Sequence, residues 1–92
     1  MSDSAFKALS DPTRREILRL LSTRDRTAGE LGGRFEISQP AVSRHLAVLR
    51  GAGLVTAVRE GQNVVYALDT TVMQDLVRAV LDLTSGAKAR KR

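Results

Sequence analysis

Apolar positions along the chain recur first at helical and later at strand spacing. Ile17, Leu20 and Leu21 form the i, i+3, i+4 stripe of an amphipathic helix. Asp11-Pro12 reads as its start, an N-cap followed by proline at the first helical position, and the pattern ends at about Thr23. A shorter segment, Ser4 to Leu9, precedes it and carries Phe6 and Leu9. After a polar turn at Arg24-Asp25-Arg26, Thr27-Ala28-Gly29-Glu30 matches a capping box and opens a short helix with Leu31. Gly32 and Gly33 weaken that helix, and it is expected to end near Arg34. Ser38 caps a further helix, Gln39 to about Arg50, terminated by Gly51 and Gly53. Val55 to Glu60 and Asn63 to Leu68 then read as two strands, joined by a two-residue turn, Gly61-Gln62, with glycine first. Both faces of these strands carry apolar residues, so the pattern leaves their register open. Asp69-Thr70-Thr71 caps a last helix, Val72 to Leu83. The order is four helices, a hairpin and a helix. It predicts a mainly α fold with a β-hairpin wing, a winged helix-turn-helix, as one domain over 1–84 followed by a basic, disordered tail over 85–92.

In that plan the second helix of the pair enters the major groove. At about 100° per residue, Val42, Leu46 and Leu49 cluster on one face of the Gln39 helix and must face the core. Pro40, Arg44 and Ala47 point away, with Gln39 and Ser43 on one flank. Arginine pairs bidentately with guanine, glutamine with adenine, and serine with base or phosphate. Ser38 sits at the helix N-terminus, where backbone N–H groups favour a phosphate. Such a face is common on solvated helices. What favours DNA is the glycine-turn hairpin that follows at once, with Arg59, Gln62 and Asn63 near its tip, suited to a minor groove or backbone. His45, at the edge of the core face, reads as a boundary residue that packs and hydrogen-bonds, with phosphate as one partner.

The last helix carries more apolar surface than one core needs. Val72, Met73, Leu76, Val77, Val80 and Leu83 span about 140° of its circumference, and Leu81 widens the band, where about 100° suffices for one face. The segment with Phe6 and Leu9 is too short to cover the surplus. A two-fold homodimer is therefore expected, with Phe6, Leu9, Val72, Met73, Leu76, Val80 and Leu83 at its interface.

Composition narrows the chemistry. The 92 residues include no cysteine and one histidine, which excludes disulfides, thiolate catalysis and a metal site built on cysteine. No serine has an evident catalytic partner, and an enzyme is not expected. Aromatics are 3%, so the core must be aliphatic. No run approaches the roughly 20 apolar residues of a membrane span. Met1 to Leu9 lacks the pattern of a secretory signal, so a cytoplasmic location is expected. The formal net charge is +5, but Lys88, Arg90, Lys91 and Arg92 carry four of those charges, so the body alone is close to neutral.

Two stretches, Phe6-Lys7-Ala8-Leu9-Ser10-Asp11-Pro12-Thr13-Arg14-Arg15-Glu16-Ile17-Leu18 and Ser38-Gln39-Pro40-Ala41-Val42-Ser43-Arg44-His45-Leu46-Ala47-Val48-Leu49-Arg50, resemble the ArsR/SmtB family of bacterial repressors. Gly53-Leu54-Val55 and Arg59-Glu60-Gly61-Gln62 continue the likeness, which covers nearly all of the chain except the tail. The end, Tyr66 to Leu76, resembles the metal-free, SdpR-like autorepressor branch. The resemblance implies a homodimer built by the first and last helices, bound to double-stranded, palindromic operator DNA as a repressor. It also implies metal sensing in many members, from which this chain departs. The thiolate site would fall at about Ala28 to Gly33, where there is no cysteine, and the last helix offers Asp75 and Asp82 but no histidine. No cofactor, metal or membrane partner is expected. The competing function is a winged-helix module that binds protein, which would instead carry apolar or acidic residues where Pro40, Ser43 and Arg44 stand.

Overall fold

The computed structural model describes residues 3–89. The elements follow in the order α1 (Asp3–Ala8), α2 (Pro12–Thr23), β1 (Arg26–Thr27), α3 (Ala28–Gly32), α4 (Gln39–Gly51), β2 (Val55–Glu60), β3 (Asn63–Leu68) and α5 (Thr70–Ala89).

The helix starts are set by side-chain caps. Asp11 accepts from the Arg14 N–H, and Pro12 supplies a first-turn residue with no N–H to satisfy. Thr27 and Glu30 form a reciprocal capping box, each side chain accepting from the other's backbone N–H. Ser38 accepts from the Ala41 N–H. The end of α4 is a Schellman turn. Gly53 takes φ +78°. Its N–H donates to the Arg50 carbonyl, and the Leu54 N–H donates to the Leu49 carbonyl. The chain thereby reverses onto the core, with Leu49 and Leu54 both fully buried.

The core is aliphatic, as the low aromatic content requires. Ile17, Leu18, Leu20 and Leu21 from α2 meet Leu31 of α3 and Val42, Leu46 and Leu49 of α4. Ala5 and Ala8 let α1 approach closely, Leu54 and Val55 enter from the base of the hairpin, and Leu76 enters from α5. Phe35 and Tyr66 lie at its rim.

Three strands pair antiparallel in the order β1-β3-β2. The hairpin bounds match the sequence pattern, and Gly61 at φ +65° makes the turn. The register left open by the pattern is Val55↔Leu68, Ala57↔Tyr66 and Arg59↔Val64 on one face, with Thr56↔Ala67, Val58↔Val65 and Glu60↔Asn63 on the other. Buried Val55, with Leu68 and Tyr66 packed on the core, identifies the first as the inner face. β1 is an addition to the expected order. It pairs Arg26 with Tyr66 and Thr27 with Val65 just before α3 starts.

The C-terminal element differs from expectation. α5 does not stop at Leu83 but continues through Gly86 to Ala89, so helix occupies the first part of the segment read as tail. Arg90, Lys91 and Arg92 lie outside the described residues. α5 is 20 residues long and extends away from the core. Over 77–87 every residue is exposed except Ala79, which is half-buried. That projection explains the 56 × 25 × 22 Å extents.

Gly53→Ala is expected to lower unfolding free energy by about 1–2 kcal/mol, because an L residue is strained in the left-handed region. Its Cβ would also sit 3.0 Å from Val72 Cγ2. Gly51→Ala, where nothing lies within 4 Å, should be neutral or mildly stabilising. Urea unfolding of both variants checks the pair.

Candidate nucleic-acid interface

α3 and α4 are joined by the turn over 33–38, and α4 is rotated so that Val42, Leu46 and Leu49 have no exposure at all. Helical geometry then turns Pro40, Ser43, Arg44 and Ala47 outward, and all four are exposed. No hydrogen bond or ion pair from the described residues engages the Arg44 guanidinium. The face it shares with these small neighbours is shallow enough for a base edge to approach.

Two expected contact residues are already engaged. The Gln39 amide donates to the Ala28 carbonyl across the helix-turn-helix, at 3.0 Å. Its side chain lies over Gly32, where a built Cβ would come 3.0 Å from the Gln39 Cδ and closer still to the amide oxygen. Gln39 in this state braces α4 against α3 and must swing out to meet a base. Ser38 uses its oxygen as the helix cap, and Pro40 has no N–H, so the helix start offers fewer free donors than a bare N-terminus. The Ser38 hydroxyl hydrogen remains available.

His45 is partly buried, with its side chain 22% exposed. Arg14 Nη1 lies 3.3 Å from its Nδ1. Asp11 Oδ2 is 3.9 Å from the same nitrogen. The Asp11 carboxyl is held below the usual carboxylate range, chiefly by the Arg14 backbone N–H, with His45, when its ring is protonated, and the Arg14 guanidinium adding to the effect. In sequence Arg14 stands only within the family-like stretch Phe6 to Leu18; the structure makes it the link between α2 and the reading helix.

At the wing, Arg59, Gln62 and Asn63 are exposed near the tip, but they do not share one surface. Arg59 is on the inner face opposite Val64, whereas Asn63 is on the outer face opposite Glu60. Glu60 places a carboxylate beside Asn63, so the inner edge with Arg59 is the better phosphate contact.

Between them, α1 and α5 enclose an open apolar groove of roughly 240 Å³ lined by Phe6, Leu9, Met73, Leu76, Val77, Val80 and Leu81. Val77, Val80 and Leu81 are 54%, 46% and 61% exposed. Of the residues expected at an interface, Val72 packs on the core beside Gly53 and Leu76 is 2% exposed within the single chain. Leu83 lies beyond the groove, 82% exposed.

A helix-turn-helix followed by a hairpin wing matches known proteins along its length. The family model described as "Bacterial regulatory protein, arsR family" covers residues 11–57. A curated relative, the transcriptional repressor SdpR of Bacillus subtilis, is 46% identical over 80 residues, covering 87% of this chain and 89% of that protein. The chain belongs to the ArsR family. Another curated relative, the transcriptional activator HlyU of Vibrio cholerae, is 41% identical over 72 residues, covering 78% of this chain and 67% of that protein. A crystal structure of an ArsR family transcriptional regulator superposes with a TM-score of 0.90 at 25% identity, over 97% of this chain and 92% of that one. This ArsR-family chain is accordingly a DNA-binding transcriptional regulator with a winged helix-turn-helix fold, and not an enzyme. Among the described residues no helix is long and apolar enough to cross a membrane.

Gly32→Ala should force the Gln39 amide away from Ala28. The lost hydrogen bond, worth about 1 kcal/mol, is offset by the better helix propensity of alanine, leaving stability within about 1 kcal/mol of the parent. Gln39→Ala should then cost stability in the parent and nothing in the Gly32→Ala background. Denaturant unfolding of the four forms measures the coupling, and equal costs in both backgrounds would show that Gln39 does not brace α3.

Proposed function

We propose that the chain is a homodimeric repressor that binds a palindromic operator, its own promoter among the targets, in the cytoplasm and without a metal. The observation that carries it is the outward face of α4, where an unengaged Arg44 stands among Pro40, Ser43 and Ala47 beside a hairpin wing. The DNA contacts are Ser38, Gln39, Pro40, Ser43, Arg44 and His45 from the helix, and Arg59, Gln62 and Asn63 from the wing. The likeness to SdpR, named a repressor, supports repression; HlyU, named an activator, marks the opposite outcome of the test.

A second copy of the chain is the occupant of the groove between α1 and α5. Its apolar lining runs onto a helix face that no other described element covers, and a palindromic site requires two reading helices about 34 Å apart. Metal independence is supported by the donor set. The chain has no cysteine and one histidine, and that histidine is engaged by Arg14. A mobility shift and footprint on DNA upstream of the gene tests the whole reading, and chelator should leave the shift intact.

Arg44→Ala should weaken specific binding by about 1–3 kcal/mol and relax preference at one base position per half-site. Competition against operator variants measures both, and unchanged preference would leave Arg44 without a reading role.

Val80→Glu should separate the subunits and abolish operator binding, because it places a carboxylate and its two-fold mate in an apolar seam at a cost of several kcal/mol. Val80 is half exposed in the single chain, so the fold should persist, unlike a charge at buried Leu76. Sedimentation, operator binding and circular dichroism should show a folded monomer without specific binding. A variant that stays dimeric and binds normally would place the interface elsewhere.

A further inference from the structure

All three nitrogens of the Arg14 guanidinium are engaged by the protein, and by groups from two other helices. Nε donates to the Ala8 carbonyl at 2.7 Å and Nη2 to the Lys7 carbonyl at 3.1 Å, both at the end of α1. Nη1 faces His45 Nδ1 at 3.3 Å. A guanidinium has donors and no acceptor. The Nδ1 it meets must therefore present a lone pair, and a neutral imidazole with Nδ1 bare carries its hydrogen on Nε2. The Asp11 carboxylate would impose the opposite state, a protonated ring with Nδ1 as donor. Its 3.9 Å distance is beyond hydrogen-bond reach, and the same Oδ2 already accepts from the Arg14 N–H. Of the two contacts, the closer one favours the tautomer with Nδ1 bare whenever the ring is neutral.

The Nε2 atom has no hydrogen-bond partner among the described residues, yet it is not sealed from solvent. It belongs to a residue next to Arg44, at the rim of the reading face. In major-groove docking the rim of the reading helix lies along the phosphate backbone, where neutral N–H donors fix register without reading sequence.

We propose that Arg14 is a positioning residue for DNA binding: it fixes the tautomer of His45, so that Nε2–H is presented as a hydrogen-bond donor to a backbone phosphate oxygen. The inference rests on the DNA-binding reading above. Arg14 never touches DNA. It acts through the ring, and it holds that ring against the end of α1.

The full chain contains one histidine, so imidazole ¹⁵N resonances report His45 alone. In buffer alkaline enough that the imidazole is neutral, the parent protein should show the Nε2–H tautomer, and adding a short mixed-sequence duplex at low salt should move the Nε2 resonance. Arg14→Met should mix the tautomers, and Arg14→Lys, which retains a donor, should recover the parent pattern in part. Arg14→Met should weaken binding to the duplex by about three- to tenfold, the scale of one hydrogen bond, with no further loss when His45→Ala is already present. If Arg14→Met fails to fold, the parent spectrum and His45→Ala decide the matter. A parent chain that binds DNA but carries the Nδ1–H tautomer overturns the proposal alone, as does His45→Ala with undiminished affinity. A parent chain with the Nε2–H tautomer that binds no duplex overturns the DNA-binding reading, and the phosphate role with it.

Discussion

The rotation of α4 about its own axis is fixed by Val42, Leu46 and Leu49, and most of the functional geometry depends on that. All three have no exposure, and turning the helix by a single residue position would bring at least one into water at about 1.5–3 kcal/mol. With the inward face fixed, the outward face follows from helical periodicity, and Arg44 has no choice of direction. The Schellman turn at Gly53 then determines where the chain goes next. Leu54 is buried directly against the helix end, its carbonyl accepts from the Asp69 N–H, and the hairpin is thereby held at both of its roots beside the reading helix.

Much of this was legible because the signals are local. Asp11-Pro12, Thr27 with Glu30, and Ser38 each place a cap within three residues of its partner, and Gly61-Gln62 separates two apolar runs by the length of a tight turn. What stayed hidden depends on partners distant in sequence. The wing's register could not be read from Val58, Val64, Val65 and Tyr66 because apolar residues occupy both faces; β1, which pairs along the other edge of β3, is only two residues long, and no periodicity announces a strand that short. Gln39 reads as a free amide until Gly32 is seen to leave room for it against Ala28. Arg14 has no role that its own neighbours announce, because its partners come from α1 and α4. Gly86 and the polar residues around it read as the end of α5, yet a helix already propagated over several turns gains a hydrogen bond with each added residue and passes through one glycine at a cost of about 1 kcal/mol.

Leu76 shows how one helix face serves two purposes. The band of α5 that looked uniformly apolar in sequence is divided by depth: Leu76 reaches the core, Met73 packs beside it, and Val77, Val80 and Leu81 remain outside. The inner residues fasten α5 to α1 and the body. The outer ones stay about half exposed in a single chain and present apolar surface continuous with Phe6, whose helix is itself clamped to α2 by Arg14 and Arg15 through the Lys7, Ala8 and Leu9 carbonyls. A partner seated there would thus press on the same short helix that Arg14 ties to His45 on the reading helix.

Charge makes that seam more consequential. Most of the net positive charge resides in the last five residues, Glu60 offsets Arg59 at the wing, and Glu16 and Glu30 pair with Arg19 and Arg24. The folded body is therefore close to neutral overall, and the net sequence-independent attraction to phosphates that it contributes is correspondingly small. A single copy would rely on Arg44, Arg59, a few hydroxyl and amide groups and a histidine N–H, which is a weak grip. Linking two such faces makes the second half-site an intramolecular contact at high effective concentration. On the dimeric reading, affinity for a palindrome is then supplied largely by the geometry of α1 and α5, and the small outward face of α4 is left free to provide discrimination.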